Sequence, residues 1–130
     1  MSVFNSILLD LVSMLDALGL YAPVKIGALP PDNGLSVAYG TGTPDAVYVN
    51  RGLRYRLYVV FNGKHTNAQT VSDALGNAHL ALARQTSFPP SDNYQILSIS
   101  TIGSPSYLSR EEGDQILYGS SLSIDVYIPN

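Results

Sequence analysis

Leu53-Arg54-Tyr55-Arg56-Leu57-Tyr58-Val59-Val60-Phe61, with the Asn62-Gly63 and residues 64–84 that follow it, decides the fold. Its odd positions (Leu53, Tyr55, Leu57, Val59, Phe61) are all apolar, so a strand here presents one buried face. The even positions begin as Arg54 and Arg56 and end as Tyr58 and Val60, so the second face grades from charged to apolar. Asn62-Gly63 predicts the end of the strand, and Thr66 or Asn67 offers a helix N-cap. Val71, Leu75, Ala78 and Leu82 follow at spacings of four, three and four, which is an amphipathic helix. A long strand feeding a helix that can lie on its sheet is the nucleus of an α+β domain.

Upstream, Phe4, Ile7, Leu8, Leu11, Leu15 and Leu18 predict a helix over residues 2–18, with Ser2 as its cap and Gly19 as its stop. Val24-Lys25-Ile26-Gly27-Ala28-Leu29 is a short strand closed by the turn Pro30-Pro31-Asp32-Asn33-Gly34. Leu35-Ser36-Val37-Ala38-Tyr39 alternates as a half-buried strand. Gly40-Thr41-Gly42-Thr43-Pro44-Asp45 reads as a flexible loop and Ala46-Val47-Tyr48-Val49 as a strand. With no helical period between them, these strands are expected to be antiparallel neighbours. Downstream, residues 94–102 carry apolar side chains on both faces, which predicts an interior strand. Residues 103–114, with Pro105, Gly113 and the pair Glu111-Glu112, read as a polar connection. Ile116, Tyr118, Leu122, Ile124, Val126 and Ile128 define a final long strand. The expectation is one α+β domain over residues 1–130, a mostly antiparallel mixed sheet with two helices on one face, in the order α-β-β-β-β-α-β-β.

Composition narrows the function classes. There is no cysteine, which excludes disulfides, thiolate zinc sites and thiol nucleophiles. No run reaches the roughly 18 apolar residues of a spanning helix, and no secretion signal opens the chain. A protein kept in a cytoplasm-like environment, without membrane contact, is expected. Charged residues make up 13% of the chain, about half the ~25% usual for soluble domains, while Ser, Thr, Asn, Gly and nine Tyr take their place. Two readings follow: a surface covered by other subunits, or a neutral β-rich surface. The net charge of -3 argues against general affinity for nucleic acid.

The search for chemistry finds little. Gly40-Thr41-Gly42-Thr43 lacks the third glycine and the following helix of a dinucleotide loop, and no cofactor is expected. Gly34-Leu35-Ser36-Val37-Ala38 ends in Ala and sits in a strand, unlike a nucleophile elbow. His65 follows the Asn-Gly turn as an exposed residue, and His79 edges the helix stripe as a packing residue. Together with Asp73 they lack metal-site spacing. Asp10 and Asp16 are expected to face solvent, and Asp125 to stand alone among serines. One local feature remains: Arg51, Arg54, Arg56 and Lys64 supply four of the seven basic residues, with Tyr58 among them. It is either a solvated strand face, a dock for an acidic protein, or a nucleic-acid contact.

The element order, the size and the Val59-Val60-Phe61 strand leading to the Thr66-Asn67-Ala68…Leu82 helix, with Leu122-Ser123-Ile124-Asp125-Val126-Tyr127-Ile128 at the end, resemble bacteriophage tail-terminator proteins. The group called minor capsid proteins in phages of Gram-positive hosts is included. The resemblance spans nearly the whole chain and rests on order and texture, not on a short motif. It implies a virion protein, made in the bacterial host, that forms a homo-oligomeric ring, commonly a hexamer. Such a ring caps the tail tube, and tail tube and head–tail connector proteins are its partners. That role needs no catalytic residue. It makes the loops bearing Thr41 and Asp45, and Glu111 and Glu112, expected partner contacts beside Arg51, Arg54, Arg56, Tyr58 and Lys64. Two other classes stay open: a small hydrolase-like enzyme with a site near His65, and a nucleic-acid module using the basic residues.

Overall fold

A computed structural model of the chain describes residues 2–40, 52–129 and, as backbone, 43–47. The elements are α1 (Val3–Asp16), β1 (Val24–Ile26), β2 (Gly34–Tyr39), β3 (Thr43–Val47), β4 (Leu53–His65), α2 (Ala68–Arg84), β5 (Gln95–Glu111) and β6 (Gln115–Ile128), with a 3-10 turn at Glu112–Asp114. The sheet runs β1-β2-β4-β6-β5, and β3 pairs with the start of β4. This is the expected α+β order with both helices over one face.

Local chemistry explains both helices. The Ser2 hydroxyl accepts from the Asn5 amide at 3.2 Å and starts α1. Ile7, Leu8, Leu11 and Leu15 are its buried stripe. In α2 the Asn67 side chain accepts from the Gln69 and Thr70 amides at 2.9 and 3.2 Å, and Val71, Leu75, Ala78 and Leu82 are buried as the spacing requires. Both stripes pack on the odd side of β4 (Leu57, Val59, Phe61), with Leu35 and Val37 of β2 and Leu122, Ile124 and Val126 of β6, in one apolar cluster. α2 crosses this face obliquely. Val71 stands over Gly63 of β4, and His79 reaches Thr101 of β5.

Four expectations need correcting. Asn62-Gly63 does not end the strand; β4 continues to His65, pairing with β2 on one side and β6 on the other. Ladder bonds on both edges outweigh a local turn preference. Gly63 is there for close packing, since a Cβ would lie 2.8 Å from Leu35 and Val71 side-chain carbons. Next, β1 and β2 are parallel, not antiparallel. Gly27, at φ 95°, turns the chain out of β1, and residues 27–33 easily span the return along a three-residue strand. The strand of residues 94–102 is an edge, not interior, because β5 ends the sheet. Finally, residues 103–111 are strand rather than connection, and only the 3-10 turn separates β5 from β6.

Candidate interaction surface

Strand alternation sends Arg54, Arg56, Tyr58, Val60, Asn62 and Lys64 of β4 to the face opposite the helices. There they meet Ser121, Ser123 and Asp125 of β6. Asp125 is not alone: it accepts from Arg54 Nη2 at 3.4 Å and from Arg56 Nε at 3.2 Å. The register puts Arg56 directly opposite Asp125 and Arg54 on the diagonal, the separation at which cross-strand charges interact. Two guanidinium groups on one carboxylate leave this trio a single net positive charge. Tyr58 lies opposite Ser123 and Val60 opposite Ser121, so the centre of the face is uncharged.

Lys64 does not belong with the arginines. Eight positions of β4 separate it from Arg56, about 27 Å of strand. Its Nζ sits 2.6 Å from Glu111 Oε1 at the far end of the sheet. The predicted basic cluster is therefore two places, one built on Asp125 and one on Glu111. Around Lys64, a hollow of about 560 Å³ is lined by Pro31, Asp32, Glu111, Glu112 and Gly113. Its walls are clamped together: buried Gln115 accepts from the Asn33 amide at 2.8 Å and donates to Asn33 Oδ1 at 3.1 Å. Arg51 and Thr41 lie outside the described residues. Asp45 is in strand β3, not a loop, at a register shift between Pro44 and Ala46.

The histidines do not share a site. His79 is 4% exposed, stacks on Phe61 and meets Thr101 Oγ1 at 2.7 Å through Nδ1. Burial holds its pKa below the usual value. His65 is half-buried at the end of β4 instead of exposed in a turn; its Nδ1 accepts from the Asn67 amide, and its ring meets Tyr21 edge-on. Among the described residues no three of His, Cys, Asp and Glu are grouped to hold a metal ion.

Several tyrosines serve the fold. The Tyr21 hydroxyl donates to the carbonyls of Gly34 and Lys64, and Tyr39 donates to the carbonyl of Phe4. Tyr94 donates to Asp10, which therefore does not simply face solvent, and burial with that carboxylate pushes the phenol pKa up to about 12. Asp16 accepts from the Val24 amide at 2.9 Å. A high tyrosine count is thus partly an internal tie between α1 and the sheet.

The feature that sequence reasoning missed is the β5 edge. Leu97, Ile102, Tyr107 and Leu108 are exposed by 41, 53, 57 and 53%. Tyr107 stands on the helix side against Tyr118, past the area α2 covers. Leu108 lies on the opposite side, over Gly119, where a Cβ would come within 2.6 Å of it. The signal was Tyr107-Leu108 inside a stretch read as a polar connection.

No protein-family model matches the sequence, and no curated protein matches it. Among solved structures, the chain is similar to one from the virion of a native gene transfer agent particle. That likeness has a TM-score of 0.50 and 13% identity, and covers 90% of this chain and 84% of that chain. At such identity the likeness is one of fold.

Proposed function

We propose that this chain is a non-enzymatic structural protein of a phage-type particle, acting as a tail terminator. Copies would form a ring, a hexamer by the resemblance, that closes the head-proximal end of the tail tube and presents a surface to the connector. The observation that carries the reading is the fold likeness to a gene transfer agent virion chain, which extends over most of both chains. The low charge of the sequence and the apolar β5 edge fit a subunit with neighbours. An enzyme built around His65 gains no support from a ring held against Tyr21 and an Nδ1 occupied by the Asn67 amide. A nucleic-acid module gains little from arginines already shared with Asp125.

Sedimentation of the purified protein, with and without purified tail tubes of the same phage, tests the proposal. Rings of one stoichiometry, or a monomer that assembles only on tube ends, is the expected result. A stable monomer that ignores the tubes would sink the idea.

A further inference from the structure

α2 meets the sheet in two different ways. Its first turns stand over β4, with Val71 above Gly63, and there β4 is paired along both edges. Its second half reaches β5, where His79 Nδ1 meets Thr101 Oγ1 at 2.7 Å. β5 is paired to β6 alone, and its ladder shifts register between Ile96 and Ser98 and again between Thr101 and Gly103. The stretch that His79 touches is thus bracketed by two irregularities, each of which disrupts the ladder locally. Thr101 is itself exposed, so water stands at the border of this seam.

We infer that His79 is a pH-sensitive latch, whose protonation parts the second half of α2 from residues 96–101 of β5 while the rest of the core stays closed. The ring is 4% exposed and stacked on Phe61, and its Nε2 meets no hydrogen-bond partner among the described residues. A neutral imidazole fits this place, with Nδ1 bonded to Thr101 and a bare lone pair at Nε2. An imidazolium does not: it sets a charge out of water and adds an N–H with no acceptor. Protonation leaves the Nδ1 bond possible, so what fails is the burial of the ring. The least costly escape is toward Thr101, where solvent is near and the strand is irregular. The two ends of the seam are held to α1. Gln85 Nε2 donates to Met14 Sδ at 3.2 Å, and the Tyr94 hydroxyl donates to Asp10, which bounds the opening.

Among the described residues, the elements packed on His79 turn no charge toward it. On β4, Arg54, Arg56 and Lys64 lie on the opposite face, and Tyr55 and His65 stand toward the two ends of the strand. On β6, Asp125 is on the opposite face, and Tyr118 on the helix side pairs beside Gly63. On β5, Tyr107, Arg110 and Glu111 belong to the outer half, and on α2 Asp73 and Arg84 are exposed. Burial is accordingly what lowers the His79 pKa. In the open seam the ring takes up its proton near pH 6.5, as in free chain. The seam is therefore fully closed above about pH 6.5 and opens progressively as the pH falls through that value toward the depressed pKa of the closed state.

Hydrogen exchange of the full chain at pH 7.5 and 5.5 tests the latch, read on peptides covering residues 76–84 and 95–101 with β2 as the reference. Rates are converted to opening constants, which removes the intrinsic pH dependence of exchange. Seam opening is expected to rise severalfold, and at most about tenfold, between the two pH values. It should also respond little to low concentrations of denaturant, because a local opening exposes little surface. β2 should open less often and with the steep denaturant dependence of global unfolding. His79→Gln is expected to remove the rise at the seam. Thr101→Val, at an exposed position, should raise seam opening at pH 7.5 roughly tenfold and keep the pH dependence. Seam opening as steep in denaturant as that of β2 means that the chain unfolds as a whole, and overturns the latch. A rise that persists in His79→Gln belongs to another group and overturns it too. Wild-type opening in Thr101→Val at pH 7.5 removes Thr101 from the device.

Discussion

His79 lies inside the core at mid-helix, with Phe61 on its ring and Thr101 on Nδ1, while Nε2 meets no hydrogen-bond partner among the described residues. Protonation would place a charge and an N–H at Nε2 where no acceptor lies among the described residues, so the folded pKa falls below the usual value. The unfolded chain takes up this proton near pH 6.5, before the folded chain does. Stability is therefore full above about pH 6.5 and declines as the pH drops through that value toward the depressed folded pKa. Melting curves between pH 7.5 and 5 are expected to show this decline, and His79→Gln should flatten it. A wild-type curve as flat as the variant's would argue against the assignment. Gly63 gives a second expectation. A methyl there meets Leu35 and Val71 carbons at 2.8 Å and the Tyr21 hydroxyl at 3.0 Å. Gly63→Ala should cost about 1–3 kcal/mol, as overpacking does, and lower the melting temperature by several degrees. An unchanged midpoint would mean that the neighbours yield freely.

At the scale of elements, local chemistry carried far. Ser2 caps α1 as expected, Asn67 rather than Thr66 of the two candidates caps α2, and the two stripes and the odd side of β4 are buried as spaced. Failures came where a distant partner decides the outcome. Asn62-Gly63 looks like a turn until strands on both sides hold it in the ladder. Residues 102–111 do not alternate because an edge beyond the helices has no buried side to favour. The link of Arg54 and Arg56 to Asp125 spans 71 and 69 positions, and nothing in the local pattern announces it. The same distance in sequence hid the split of the basic cluster, since Lys64 answers to Glu111. The arginine pair is also expected to stabilise little. Both arginine side chains are more than a third exposed, so solvent screens them, and Asp125→Ser should cost less than about 1 kcal/mol. Denaturant midpoints at low salt and in ~1 M salt check this. A loss that persists undiminished in high salt would mean that the carboxylate supports packing rather than charge.

Across the whole molecule, protection is expected to follow how the sheet is covered. The strands β2, β4 and β6 lie beneath both helices, and their amides open only when the core does. β5 divides in two. Ile96 and Ile99 are buried under α2, whereas residues 102–111 are paired on one edge and lie past the helix. Amides of residues 102–111 should therefore exchange faster than those near Ile99, although both belong to one strand. Hydrogen exchange read by mass spectrometry on peptides from the two halves of β5 measures the difference. A gradient from slow exchange near Ile99 to fast exchange beyond Ile102 is the expected outcome. Equal protection of both halves would show that pairing to β6 alone holds the edge as firmly as the cover of α2 holds the first half.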